Sequence, residues 1–479
     1  MPLNRSMPQN LPEKLLVLAA HAYYVFLVIL SIVFFKERLI CFDSSYYLFK
    51  MMYYNDYYFA HNRFISFFPE SVALLFINAK ASLPIIMKAY STSYMLFHYL
   101  CFILMAHVFK NKVGAFFIAL ATCLTMRYKF YIAISEVTMS IFALALFIAW
   151  LNRPQDKWKI GTQKQWFITI SILLLLLSGH SILLLIALTY FAFDMVYENR
   201  WKDKGNWLII GLTLLGYFIK YQTADGYESG KISMLKHGMN LKVWKMYIGE
   251  MIGTYFTNEY IIPLLIIGCF WLWLLYRRKW LAALSIPAAT LTLLFFIGVI
   301  FSSITKPVYN LVDGYLGMMG IMWCLPMLYY FKTRPVEIWH SIALVGLLFF
   351  CMFRVYDKHD FFVQRTDYVQ QLIDENTKDG HRKIYIPQKG FPEDKMWYAW
   401  GISLETMLLS ALNGAENATT IYPMQKHDLK YTEEKNKPNL FLGAQFWQEE
   451  FQQSKIDTNY FKLSKQQYKE GKFGWKDLK

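Results

Sequence analysis

The feature that most constrains the fold of this chain is a long series of apolar runs separated by short charged loops. A run of about 20 apolar residues crosses the hydrocarbon core of a bilayer as a helix. Only 17% of the 479 residues are charged, against about 25% in an average soluble domain. The sequence therefore predicts an α-helical polytopic membrane domain over residues 1–356. About eleven spans are expected, near residues 15–35, 90–109, 114–127, 137–151, 166–179, 181–197, 206–222, 260–276, 280–302, 314–331 and 338–356.

The distribution of charge predicts how these spans are oriented. The net charge of +15 falls entirely within residues 1–356, because Lys+Arg and Asp+Glu balance over residues 357–479. Alternate loops are short and rich in Lys and Arg, which places them in the cytoplasm. The N-terminus is then cytoplasmic, and the first run is read as an uncleaved span. Loops 36–89, 223–259 and 303–313 face outward across a cytoplasmic (inner) membrane. Basic residues placed this way serve as topology signals and indicate no nucleic-acid partner.

The C-terminal region, residues 357–479, is predicted to be a small extracytoplasmic α/β domain. Residues 383–387 alternate in the manner of a short buried strand, and residues 419–422 resemble a second one. Between them, residues 396–413 carry apolar side chains at helical spacing. The six cysteines all lie in or beside apolar runs, with no spacing typical of zinc ligands.

The first outward loop, residues 36–89, holds the most informative acidic residue. Asp43 follows the first span closely, and residues 46–58 are strongly aromatic with few charges. Such a stretch predicts short helices lying in the membrane interface. A carboxylate held there could act as a general base toward a hydroxyl group. Alternatively, Asp43 caps the helix that starts at Ser44–Tyr46, since Asp is a favoured N-cap residue.

Further candidate site residues lie in the other outward turns. Glu136 could face the same cavity as Asp43, or could form a structural ion pair with Arg127 or Lys129. His180 lies in a turn between two apolar runs, where it either lines the cavity or is a satisfied polar group. Several cations near the outer side could stabilise a phosphate leaving group or could only place their charged ends in the interface; they include Arg63, Arg127, Lys129, Lys220, Lys306 and Arg354.

The segment Asp43-x-x-Tyr46-Tyr47, in a long first outer loop of a chain with this overall architecture, resembles the GT-C glycosyltransferases. The resemblance implies transfer of a sugar from a polyprenyl-phosphate donor to a glycan, lipid or protein acceptor, by single displacement with inversion. It implies that Asp43 is the base, assisted by Glu136. Position 44 is Ser where the family often has Glu, so dependence on a divalent metal is left open. Donor and acceptor ligands are then expected among Tyr46, Tyr47, Arg63, Arg127, Lys129, His180 and Lys306.

Two other functions fit a many-span chain that handles lipid-linked saccharides. A flippase or transporter predicts inverted repeats with matching Gly/Pro-broken helices, and no such pairing is evident in the sequence. An O-antigen polymerase or ligase-like protein is expected to place its key Arg and His residues in a large late outer loop. Here the late loop, 303–313, is short and the first loop is long.

Overall fold

The computed structural model describes residues 11–133, 136–153, 162–233, 241–250, 253, 260–300, 309–387, 396–424, 438–443 and 449–471. About 75% of it is helical. The eleven apolar runs are helices over their described residues: α1 Leu11–Val33, α5 Leu83–Ile103, α6 Lys112–Thr125, α8 Glu136–Leu151, α9 Gln163–Leu177, α10 Leu183–Glu198, α11 Lys204–Gln222, α14 Ile261–Tyr276, α15 Trp280–Ile300, α16 Tyr309–Thr333 and α17 Ile338–Asp357. A single π-helical turn, Leu104–Val108, continues α5.

Four described helical segments are both long and apolar enough to cross a membrane: Leu11–Val33, Leu83–Val108, Trp280–Ile300 and Ile338–Asn376. They are compatible with a membrane protein, and the count of eleven spans stays a prediction. Large apolar side chains on these helices are well exposed, among them Leu18, Leu281 and Phe349. Contiguous apolar surface of this kind is unusual on a soluble monomer and suits a lipid environment.

The centre of the helical region is formed by α6 and α8, whose side chains are buried almost all round. Both helices contact α16, which approaches α6 closely. At Gly317 a built Cβ would lie 2.6 Å from Thr125 Cγ2, and at Gly320 it would lie 2.9 Å from Leu124 Cβ. The two backbones can therefore meet only because α16 has no side chain at these positions.

The first outer loop is itself largely helical. It contains α2 (Phe35–Leu39), α3 (Phe42–Tyr54) and α4 (Phe67–Asn78), with the 3-10 turns Ala60–Asn62 and Phe64–Ser66 between the last two. The side chains from Phe42 to Met52 are buried except for that of Asp43, which is part-exposed. Helix α3 therefore offers little surface to lipid. Shorter helices elsewhere are α7 (Tyr128–Tyr131), α12 (Gly226–Ser233) and α13 (Leu241–Glu250).

The C-terminal region contains the small sheet that the sequence predicts. It begins with α18 (His359–Asn376) and includes α19 (Ile402–Ala411) and the 3-10 turns Ala415–Asn417 and Gln453–Lys455. Strand β1 (Lys383–Pro387) pairs in parallel with β2 (Thr420–Met424), Tyr385 facing Tyr422, and with β5 (Lys469–Glu470). Strands β3 (Leu440–Leu442) and β4 (Glu450–Gln452) form an antiparallel pair. Helix α19 packs on β2 on one side and on α3 on the other.

Candidate active site

Asp43 lies in the first turn of α3 and does not cap the helix. The N-cap residue is Cys41, which makes no side-chain cap hydrogen bond, and the helix begins at Phe42. Near a helix N-terminus a carboxylate interacts favourably with the helix dipole. The capping interpretation is therefore wrong in its geometry, and the carboxyl group of Asp43 is not committed to the backbone of its own helix as an N-cap.

Glu136, the first residue of α8, is the centre of a buried polar cluster. The hydroxyl of Tyr47 donates to Glu136 Oε1 at 3.1 Å, and Arg63 Nη1 lies 3.5 Å from Glu136 Oε2. Arg63 also forms a close ion pair with Glu228 of α12, to which its Nε donates at 3.1 Å. Arg63 and Glu136 are 5% and 7% exposed, so Arg63 neutralises two carboxylates that are largely withdrawn from water.

Arg63 is a partner of Glu136 that the sequence analysis did not pair with it. It reaches Glu136 from the loop that precedes α4. The guanidinium carbon of Arg127 lies 4.5 Å from the centre of the Tyr128 ring, and the charge of Arg127 acts on Arg354 of α17. The pairing of Glu136 with Arg127 or Lys129 stays a prediction.

Asp43 is part of the same electrostatic environment. Burial, followed by the negative charge of Glu136, raises the pKa of Asp43 from 3.8 to about 7, while the charges of Lys129 and Arg63 oppose this rise. The charge of Lys129, on α7, thus acts on Asp43. A carboxyl group that titrates near neutral pH can both take up and release a proton under working conditions.

A third carboxyl group, that of Glu70 on α4, lies within the electrostatic influence of Glu136. It accepts hydrogen bonds from Ser66 Oγ at 2.6 Å and from the backbone N–H of Tyr58 at 2.9 Å. Burial raises the pKa of Glu70 to about 7 against the effect of these two donors, and Glu136 raises it further. Because both carboxylate oxygens are held by the loop, Glu70 orders the chain around Arg63 and is not directed at a ligand.

His180 lies on the opposite wall, in the turn between α9 and α10. Its backbone N–H donates to Ser140 Oγ at 2.7 Å, and its Nδ1 accepts from the backbone N–H of Ile182 at 3.2 Å. Burial lowers the pKa of His180, and the charges of Arg63 and Lys220 lower it further. The ring is therefore neutral with its proton on Nε2, the nitrogen left to act as a donor.

A cavity of about 170 Å³ opens beside the Arg63–Glu228 pair. Its walls combine hydroxyl, amide, imidazole and charged groups, including His61, Asn62, Ser181, Lys220 and Glu228. The ring of His61 stacks on that of Tyr227 with 4.2 Å between their centres. The cavity is thus lined by hydrogen-bonding groups together with apolar ones, among them Phe64, Leu177 and Ile219, a combination that suits a small ligand with hydroxyl groups.

The two predicted tyrosines point in different directions. Tyr47 reaches Glu136, whereas the hydroxyl of Tyr46 donates to Glu449 of the C-terminal region at 2.9 Å. Glu449 also forms an ion pair with Lys50, whose ammonium lies 5.1–5.2 Å from the ring centres of Tyr46, Tyr54, Tyr58 and Phe451. Tyr46 therefore joins α3 to the C-terminal region. Lys306 lies outside the described residues.

Sequence reasoning missed Glu228 as well as a buried pair in the C-terminal region, Arg365 and Glu405. Glu228 lies in the short helix α12, within a stretch of sequence that has no apolar pattern to mark it, and its contact with Arg63 identifies it. In the described part of the chain, no three His, Cys, Asp or Glu side chains are grouped as metal ligands.

The chain matches no protein-family model, no curated protein and no solved structure.

Proposed function

We propose that the protein is a membrane glycosyltransferase that uses a polyprenyl-phosphate sugar as its donor. The observation that carries the proposal is the placement of Asp43, a largely buried carboxyl group beside Glu136 with a pKa of about 7. Its position on the first outer loop gives it access to a lipid-carried substrate at the outer side of the cytoplasmic membrane. The resemblance of the Asp43-x-x-Tyr46-Tyr47 segment to GT-C enzymes supports the same reading.

In the proposed reaction Asp43 accepts the proton of an acceptor hydroxyl group while that oxygen attacks the anomeric carbon of the sugar. The bond between this carbon and the phosphate oxygen breaks on the opposite face, so the configuration inverts and polyprenyl phosphate leaves with the bonding electrons. Lys129 is assigned to the phosphate, because its charge acts on Asp43 and it therefore lies close to the proposed base. A cation there stabilises the charge that develops on the leaving group.

The acceptor is assigned to the cavity beside Arg63, since its polar walls adjoin the cluster that contains Asp43. His180 and Glu136 shape this side of the site, with the Nε2 proton of His180 offered as a donor. Tyr47 and Arg63 act through Glu136, whose carboxylate they hold. Tyr46 instead anchors the C-terminal region against α3.

The test is sugar transfer in membranes that contain the intact protein, Asp43→Asn or Asp56→Asn at equal abundance. Asp56 is an exposed carboxylate of the same loop and serves as the matched control. The substrates are a panel of radiolabelled polyprenyl-phosphate sugars. We expect transfer by the intact protein and the control, and a loss of at least a hundredfold in Asp43→Asn, in the range of general-base contributions. Undiminished transfer by Asp43→Asn would refute the role of Asp43, and no transfer with any donor would favour the flippase and polymerase functions.

A further inference from the structure

The chain immediately before Asp43 is contacted by two side chains of the C-terminal region. The backbone N–H of Phe42 donates to Glu405 Oε1 at 2.7 Å, and the carbonyl of Ile40 accepts from Arg365 Nη1 at 2.5 Å. The guanidinium of Arg365 also lies 4.5 Å from the centre of the Phe42 ring. Two side chains that are more than 300 residues away in sequence thus hold two of the three residues that precede Asp43, Ile40 and Phe42.

The two side chains that make these contacts are themselves a buried ion pair. Arg365 Nη2 donates to both carboxylate oxygens of Glu405, at 2.8 and 2.6 Å. The side chains of Arg365 and Glu405 are 1% and 0% exposed. A buried pair costs desolvation free energy and often stabilises a protein no more than apolar residues of the same volume would, so its presence calls for a role in specificity or positioning.

The backbone that the pair holds is strained. Phe42 has a φ of 42°, a left-handed value that is uncommon for a bulky residue and persists only where the surroundings impose it. Gly401, one turn before Glu405, allows the close approach that this requires. A Cβ at Gly401 would lie 3.3 Å from Phe42 Cα and 3.0 Å from Glu405 Oε1.

The consequence of this bend concerns the direction of α3. The sharp change from an extended Cys41, with φ −154° and ψ 108°, to a left-handed Phe42 sets the direction in which the first turn leaves. Asp43 is the next residue, so its side chain is aimed by the same contacts. Without the contacts of Arg365 and Glu405 with Ile40 and Phe42, this turn would relax and admit more water to the carboxyl group of Asp43.

We propose that Arg365 and Glu405 are positioning residues for Asp43, through which the C-terminal region completes the active site. The role of this region is then to set the backbone of the base, beyond any cover that it provides for the acceptor. The effect on catalysis rests on the proposed glycosyltransferase function, whereas the effect on the environment of Asp43 does not.

The experiment follows the protonation of Asp43 directly in the full-length protein in detergent. Dicyclohexylcarbodiimide modifies protonated carboxyl groups, and mass spectrometry of the Asp43 peptide gives the extent of labelling as a function of pH. The ionisable groups that face Asp43 stay unchanged in every variant: Glu136 on α8, Lys129 on α7, Arg63 in the outer loop, Tyr47 on α3, Tyr227 on α12 and Cys41. Glu405→Gln and Arg365→Met each remove a charge next to Phe42, so the charge-neutral Gly401→Ala shows whether a shift in midpoint is transmitted through the backbone.

The variants are Glu405→Gln and Arg365→Met, with Glu449→Gln as the matched control. Glu449 is also a carboxylate of the C-terminal region that contacts α3, but it bonds Lys50 and Tyr46. We expect a labelling midpoint near pH 7 in the intact protein and the control, and a fall of at least one pH unit in Glu405→Gln and Arg365→Met. Gly401→Ala alters no charge and places a methyl group against Phe42, so it is expected to shift the midpoint in the same direction. This variant tests the proposal on its own if the other two do not fold.

Unchanged midpoints in folded Glu405→Gln and Gly401→Ala would overturn the proposal. Transfer assays on the same samples separate it from the proposed function. A shifted midpoint with kcat reduced at least tenfold and KM for the donor unchanged supports both. A shifted midpoint in the variants, together with no sugar transfer by the intact protein from any donor, supports the positioning role and refutes the glycosyltransferase function.

Discussion

Replacing Asp43 by Asn is expected to stabilise the folded protein in a pH-dependent way. In an unfolded chain the Asp43 carboxyl group ionises above its ordinary pKa of 3.8, whereas in the folded protein it keeps its proton up to a pKa of about 7. Between these values the folded state binds more protons, so its stability falls as the pH rises. Asn carries no charge to bury and escapes this loss.

The magnitude follows from the difference between the two pKa values. Each pKa unit corresponds to about 1.4 kcal/mol, so the gain for Asp43→Asn reaches an upper limit of about 4 kcal/mol above pH 7. At pH 5 only part of the interval between the two pKa values has been crossed, and the expected gain in stability for Asp43→Asn is about 2 kcal/mol. Below about pH 3 the Asp43 carboxyl group is protonated in both the folded and the unfolded protein, and the two proteins should be equally stable.

The assay is thermal unfolding in detergent from pH 4 to pH 9 for the intact protein, Asp43→Asn and Asp56→Asn. The difference in midpoint temperature between Asp43→Asn and the intact protein should be smallest at pH 4 and should grow until about pH 7. Asp56→Asn should show no such trend, because Asp56 is exposed. A difference for Asp43→Asn that stays constant across the whole range would refute the buried, electrostatically strained state of this carboxyl group.

Two further predictions concern other contacts of the same fold. Tyr47→Phe removes the hydroxyl that donates to the buried carboxylate of Glu136. Because a hydrogen bond to a charged group is worth about 1.5–3 kcal/mol, kcat for sugar transfer should fall about tenfold or more. An unchanged kcat would contradict the role given to Glu136. Gly317→Ala places a methyl group 2.6 Å from Thr125 and should destabilise the protein by about 1–3 kcal/mol in thermal unfolding, whereas Gly211→Ala, which meets nothing within 4 Å, should be neutral or slightly stabilising. Equal midpoints for the two glycine variants would refute the close packing of α16 on α6.

The helices were predictable because an apolar run carries its own signal. Boundaries were less so: α5 begins at Leu83 and not near residue 90, since Pro84 suits a first helical turn while Lys88 and nearby polar residues interrupt the apolar run. The strand at residues 383–387 was also predictable, since β1 has the alternation of a half-buried strand.

The site was predictable only in its members nearest to a recognisable pattern. Asp43, Glu136 and His180 stand out as polar residues beside apolar runs. The charges of Arg63 and Lys129 act on both Asp43 and His180. The pairing of Arg63 with Glu136 depends on how residues 36–89 fold back, which residue spacing does not encode. The contacts of Arg365 and Glu405 with Ile40 and Phe42 join distant parts of the sequence, so no local pattern marks them.

The burial of α3 has a consequence for how the protein is made. Residues 42–54 leave the ribosome early, yet the surfaces that cover them belong to α19 and to β4, which are synthesised more than 340 residues later. During that interval an apolar helix with a strained first turn has no permanent partner, a condition that favours misassembly. A chain interrupted after α17 would keep most of its apolar helices and never form the bend before Asp43. Synthesis of the C-terminal region is thus the step that gives α3 its permanent packing partners.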